Sequence, residues 1–252
     1  MRASPSSFKS HSLQSYNRDL EALMNHILEL GGLVEKQLDL AVSAMQLGDV
    51  EKAKEVRQLD RLINETEQNT DKAAIQLVAR HQPAASDLRL IISSLRIGID
   101  LERVGDEVVK LARMVEFYER MGGECSQLKI GSDFYRLVDM AREMLKRALD
   151  AYARLNMKEA VGLLEDEERA DELYKRIIDA VKAEMHENPA VKLGCYLEFV
   201  NVVKAVERMT DHLANVAESI IYIINGRDVR SPDHDMIEKL ASEAGEAPQA
   251  DE

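Results

Sequence analysis

Two stretches of the chain carry the same acidic element, LERVGDEVVKLA at 101–112 and VERMTDHLANVA at 206–217. In each, a Glu stands four residues before an Asp: Glu102 and Asp106 in the first, Glu207 and Asp211 in the second. On a helix, residues four apart share a face, with Cβ atoms roughly 5–6 Å from each other. Two carboxylates placed so repel unless a cation lies between them. The spacing alone decides nothing, because Glu35/Asp39, Glu51/Glu55, Glu67/Asp71, Asp139/Glu143 and Glu168/Glu172 share it and read as solvated surface. The neighbours make the difference. One row reads Leu88, Ile92, Leu95, Ile99, Glu102, Asp106, Val109, and its counterpart reads Leu193, Leu197, Val200, Lys204, Glu207, Asp211, Ala214. Two acids thus interrupt a largely apolar row twice over, and acids drawn toward a core need a counter-charge or a metal.

The preceding helices supply partners. Asp60 and Asn64 follow Ala53 and Val56 on one row, and Glu167 and Asp171 follow Ala160 and Leu163. Antiparallel packing would assemble Asp60, Asn64, Glu102 and Asp106 as one set and Glu167, Asp171, Glu207 and Asp211 as a second. Carboxylate and amide oxygens are hard ligands, suited to iron, manganese or magnesium. The competing reading is that Arg103 and Arg208 neutralise these acids in salt bridges. Three carboxylates against four makes the second set the expected tighter cation site. Catalysis finds no support: the Glu-x-x-His pair of di-iron oxidases is missing at all six histidines, and the chain has no glycine-rich phosphate loop or nucleophile elbow. His212 is expected to be exposed, since Glu107 takes its place in the other repeat.

Helices must position these residues. Glycines number 12, prolines 5 and aromatics only 4% of the chain, a balance that fits an all-α protein and not a sheet. The periodicity predicts helices over about 16–47, 50–81, 86–120, 133–155, 157–187 and 190–225. Asp49 and Asn156 are expected caps, Pro83 and Pro189 breaks, and Gly122-Gly123 and Gly226 stops. Gly31-Gly32 is an expected break or kink in the first helix. The second three helices repeat the first three. At an offset of 107, Leu38, Ala41, Asp49, Ala53, Val56 and Asp60 align with Leu145, Ala148, Asn156, Ala160, Leu163 and Glu167. Beyond the shared Gln82-Pro83-Ala84 and Asn188-Pro189-Ala190 break the offset becomes 105, and Glu102, Arg103 and Asp106 meet Glu207, Arg208 and Asp211. The expected organisation is a disordered Ser-rich lead-in over 1–15, one three-helix repeat over 16–122, a second over 132–230, and a flexible acidic tail over 231–252.

Charge narrows the partners. The net charge is −13, and without a basic stripe no nucleic-acid binding is expected. The beginning lacks the apolar run of a signal peptide, and Ile220–Ile224 is too short to span a bilayer, so no membrane insertion is expected. Cys125 and Cys195 form no metal-ligand or CxxC pattern. Two thiols make no disulfide framework for a chain of this size, which suggests a reducing cytosol, with packing or incidental exposure expected of each.

GGLVEKQLDLA from Gly31, QPAASDLR from Gln82, LERVGD from Leu101, VERMTDHLANVAE from Val206 and IINGRDVR from Ile223 together resemble PhoU, the phosphate-transport system regulatory family. The resemblance covers about residues 8–231. It implies two three-helix bundles related by pseudo-two-fold symmetry, in a cytoplasmic negative regulator of the phosphate-starvation response. It also implies coupling of the phosphate ABC transporter ATPase to a phosphate-sensing histidine kinase, at the inner membrane through those partners, and a homodimer is expected. Some family members hold multinuclear metal clusters on motifs that map to the acids named above. Asn64 stands where the family usually has Asp, and Lys110 where the second repeat has Asn215. A helical adaptor without metal is the alternative.

Overall fold

The computed structural model describes residues 5–83, 85–188 and 190–226, with side chains from residue 14 onward. Among the described residues six helices follow one another: α1 (Pro5–Leu47), α2 (Val50–His81), α3 (Ala85–Arg120), α4 (Ser132–Arg154), α5 (Met157–Glu187) and α6 (Leu193–Asn225). Two of the starts lie where side-chain chemistry puts them. Asp49 accepts hydrogen bonds from the backbone N–H groups of Glu51 and Lys52, and Asn156 accepts one from Glu159, which satisfies donors that a helix start leaves unpaired. Gly226 closes α6 at φ 72°, the left-handed conformation that glycine takes without a Cβ penalty. Arg89 approaches this end closely and donates from Nε to the Ile223 carbonyl at 3.1 Å.

The first helix departs from expectation twice. It starts at Pro5, ahead of the expected start near residue 16. Proline is compatible with a first turn, and adding residues to an existing helix avoids the cost of a new nucleus. Nor does α1 break at Gly31-Gly32. A Cβ on Gly31 would lie 2.2 Å from Leu149 Cδ2 of α4, whereas one on Gly32 would meet nothing within 4 Å. Gly31 therefore admits a neighbouring helix, and α1 runs on through it. At the other end of the chain, α6 begins at Leu193 and not near Ala190, after a turn closed by the Val191 N–H on the Asn188 carbonyl. The acidic tail 231–252 lies outside the described residues.

Helices α1, α2 and α3 pack on one another, as do α4, α5 and α6, and the two bundles meet through α3 against α6 and α1 against α4. The α3–α6 pair is antiparallel: Arg89 near the start of α3 reaches the end of α6, and Tyr118 near the end of α3 donates to the Cys195 carbonyl at 3.4 Å. Helices α1 and α4 are antiparallel too, with Gly31 against Leu149 and Asp39 paired to Arg142 at 2.9 Å. The pairings give the pseudo-two-fold arrangement of two repeats. Ile27, Leu38, Leu101, Val104, Leu145, Leu163, Val206 and Met209 belong to one continuous core shared by both bundles. A satellite cluster of Leu23, Ala74, Leu77 and Ile91 closes the far end of the first.

The cysteines correct the sequence reading. Cys125, in the connection between the bundles, and Cys195, in the first turn of α6, are joined by a disulfide across a separation of 70 residues. Their pairing depends on the connection folding back over α6, which no local pattern announces. Among the described residues no helix is long and apolar enough to cross a membrane.

Candidate functional site

Antiparallel packing of α2 on α3, and of α5 on α6, makes two acidic crossings. In the second, Glu167 is held above the ordinary 4.5 by burial first and then by Asp211, Asp171, Glu168 and Glu207. Glu207 is raised by burial and by Asp211 and Asp171, against the lowering effect of Lys204 and Arg208. Asp211 rises above 3.8 through burial and Asp171, opposed by His212 and Arg208. Each of the four acids thus lies in the field of the others. In the first crossing, Asp60 is raised by burial and by Asp106, and Glu102 by burial and by Asp106, Glu67 and Asp60. The Asn64 amide nitrogen donates to the Asp60 carbonyl one turn back at 2.9 Å.

Glu67, read from sequence as solvated surface, belongs to the first crossing. Its carboxyl is raised by burial and by Asp71 and is opposed by Arg103. At the repeat offset Glu67 corresponds to Tyr174, whose phenol is raised by burial, Glu207 and Asp171. Both crossings therefore have four carboxylates: Asp60, Glu67, Glu102 and Asp106 in one, and Glu167, Asp171, Glu207 and Asp211 in the other. The expected shortfall at Asn64 is made good one turn further along α2. Gln37 of α1 is a second residue the sequence did not reveal. Fully buried, it donates from Nε2 to the Val56 carbonyl at 3.3 Å and to Asp60 Oδ1 at 3.4 Å. Its counterpart in the second repeat is Met144, which offers no such donor.

The arginines divide the crossings. Arg103 contacts Glu102 at 3.6 Å and Asp106 at 3.4 Å, the neutralising arrangement weighed against metal. Arg208 instead reaches across the bundle seam to the buried Glu107 at 3.4 Å, and Lys110 bonds the other oxygen of Glu107 at 2.5 Å. Beside it, His212 is not exposed as expected: its ring nitrogen and the Asn215 amide both meet Asp100 of α3, at 3.0 and 3.2 Å. The second crossing keeps Lys175 on Asp171 at 2.6 Å, and leaves Glu207 Oε2 buried without a hydrogen-bond partner.

The apolar rows flanking the acids also differ from expectation. Ile92, Ile99, Leu193 and Leu197 are exposed, at 40–59%. The rows run along the edge where two helices meet, which is why the acids in them stay half-hydrated.

A hard cation fits the donor chemistry, and the buried, unpartnered Glu207 oxygen and the mutual repulsion are what a cation would relieve. As the side chains stand, no three His, Cys, Asp or Glu among the described residues are arranged to hold a metal. Closure around an ion therefore requires rotamer changes of the kind half-buried Glu side chains readily make.

The model of the PhoU domain matches this chain twice, over 27–115 and 134–220, one match to each bundle. The chain belongs to the PhoU family. Among its relatives, the PhoU homologue of Pseudomonas aeruginosa, named a phosphate-specific transport system accessory protein, is 38% identical over 228 residues, covering 89% of this chain and 91% of that one. The PhoU accessory protein of Escherichia coli K12 is 30% identical over 230 residues, covering 91% and 93%. The crystal structure of PhoU from Pseudomonas aeruginosa superposes with a TM-score of 0.79 at 36% identity, covering 84% of this chain and all of that one. The Streptococcus pneumoniae PhoU structure shares the fold, with a TM-score of 0.76 at 23% identity. These relatives are named as accessory proteins of transport, not for a catalysed reaction.

Proposed function

We propose that this PhoU protein is a negative regulator of phosphate uptake and of the phosphate-starvation response. It acts in the cytoplasm, as a homodimer, by contacts that couple the phosphate ABC transporter ATPase to a phosphate-sensing histidine kinase. The observation that carries the reading is the relation to phosphate-transport accessory proteins along both repeats, at 38% identity over 228 residues. A net charge of −13 supports protein partners over nucleic acid. The test is deletion of the gene in its host. Phosphate-uptake genes are then expressed in phosphate-rich medium, and normal repression after a clean deletion would refute the proposal.

The acidic crossings contribute as cation sites in this reading. Asp60, Glu67, Glu102 and Asp106 would hold one cation set, and Glu167, Asp171, Glu207 and Asp211 the other, with iron, manganese or magnesium as the ions their oxygens suit. A bound cation supplies positive charge, not a reaction step. The residues convert it into a clip that ties α2 to α3 and α5 to α6 and fixes the surface offered to partners. A metal-free adaptor is the second reading; the contacts of Arg103 with Glu102 and Asp106 favour it at the first crossing, and that of Lys175 with Asp171, a single acid, favours it less at the second.

A further inference from the structure

The chain has two cysteines in its full length, and the fold brings both to one place, apart from the acids of the crossings. Cys125 sits in the connection over 121–131, the covalent joint between the two repeats, and Cys195 sits in the first turn of α6. Both are buried. The other polar ties between the connection and the second bundle are slight. Glu124 pairs with Lys192, both side chains about half exposed, and the Lys129 N–H donates to Glu184 at 3.2 Å. Exposed ion pairs of this kind hold weakly. Cys125 also forms part of the wall of a cavity of about 300 Å³ lined by Met45, Met114, Tyr118 and Tyr135, so the connection covers open space on one side although Leu128 anchors it in the core.

We propose that Cys125 and Cys195 form a reversible dithiol–disulfide clasp. Oxidised, it pins the joint between the repeats onto the start of α6; reduced, it frees the joint and opens the cavity beside it. The oxidant is a low-molecular-weight disulfide of the glutathione class. The Cys125 thiolate attacks one sulfur of glutathione disulfide, forming a mixed disulfide and releasing one glutathione thiolate. The Cys195 thiolate then attacks the Cys125 sulfur, closing the protein disulfide and releasing the second glutathione. Two protein thiols lose two protons and two electrons, and one glutathione disulfide becomes two thiols. Cys125 comes first because, at 6% exposure against 0%, it is the more accessible. The device is independent of the carboxylates, so it stands whether or not the crossings bind cations.

The test equilibrates the full-length protein at neutral pH with mixtures of reduced and oxidised glutathione, traps and counts free thiols by mass, and measures amide hydrogen exchange in both end states. The clasp predicts a transition within the range of the mixtures and several-fold faster exchange over 121–131 on reduction, with the α2–α3 crossing unchanged. C125S and C195S should exchange like the reduced protein under every mixture. A disulfide that persists in a large excess of reduced glutathione would make it a fixed staple and overturn the proposal. So would thiols that never pair, or pairing that leaves exchange over 121–131 unaltered.

Discussion

Glu207 shows at the scale of one residue what the crossings do energetically. Its carboxyl is raised by burial and by two neighbouring acids, so the folded protein holds that proton more tightly than the unfolded chain does. By linkage, such a group contributes stability that is fully present below the ordinary value near 4.5 and is lost as pH rises through the higher folded value. Glu167, Glu102, Glu67, Asp60 and Asp211 share the direction. Cation-free protein should therefore melt higher when the pH is lowered from neutral toward that range, and Glu207→Gln should both raise the neutral-pH melting temperature and flatten the dependence. Melting curves across pH in a chelating buffer check this; a wild type that only loses stability on mild acidification would contradict it. The acid pairs on α3 and α6 were legible as i,i+4 repeats. Glu67 was not, because its own i,i+4 partner Asp71 made it look like a solvated pair, and its membership depends on α3 lying opposite.

The same contrast holds at the scale of the element. Helix ends were legible wherever one residue settles the matter locally, as with the caps of Asp49 and Asn156 and the stop at Gly226. Gly31 was misread as a kink because its reason lies on α4, where Leu149 occupies the space of the missing side chain. The adjacent glycines allow a direct comparison. Gly32→Ala puts a methyl into open space and gains helix propensity, about 1 kcal/mol of added stability. Gly31→Ala gains the same propensity but overpacks Leu149, a strain of about 1–3 kcal/mol, so it should be neutral to destabilising and recover when combined with Leu149→Ala. Chemical denaturation of these variants and of Leu149→Ala alone measures both effects, and non-additivity of Gly31→Ala and Leu149→Ala is the signature of contact. If Gly31→Ala stabilises as much as Gly32→Ala, α1 and α4 do not approach as described.

Across the whole molecule, the duplication visible in the sequence becomes a pseudo-two-fold pair of bundles, with its axis near Val104 and Met209, where α3 and α6 cross. Each repeat unit places its four carboxylates near this seam, and the seam then makes the units unequal. Arg208 makes its ion pair with Glu107 across the seam and acts on Glu207 and Asp211 through its field, while Arg103 pairs directly with both acids it flanks at the first crossing. The sequence suggested the same ordering of the two sites for another reason, the amide at Asn64, which Glu67 offsets. A cation entering the first crossing must displace Arg103 from two acids, Glu102 and Asp106; at the second it meets Lys175 on one acid, Asp171, and the unpartnered Glu207 oxygen. The central claim, two cation sites of unequal strength, is tested most directly by elemental analysis of untagged protein loaded with iron or manganese and then dialysed against a chelator. Wild type should carry metal at both crossings and release it in two stages. E102A/D106A should lack the early stage and E207A/D211A the late one. A wild type that binds nothing from excess iron and manganese, or double variants that bind as much as wild type, would contradict it.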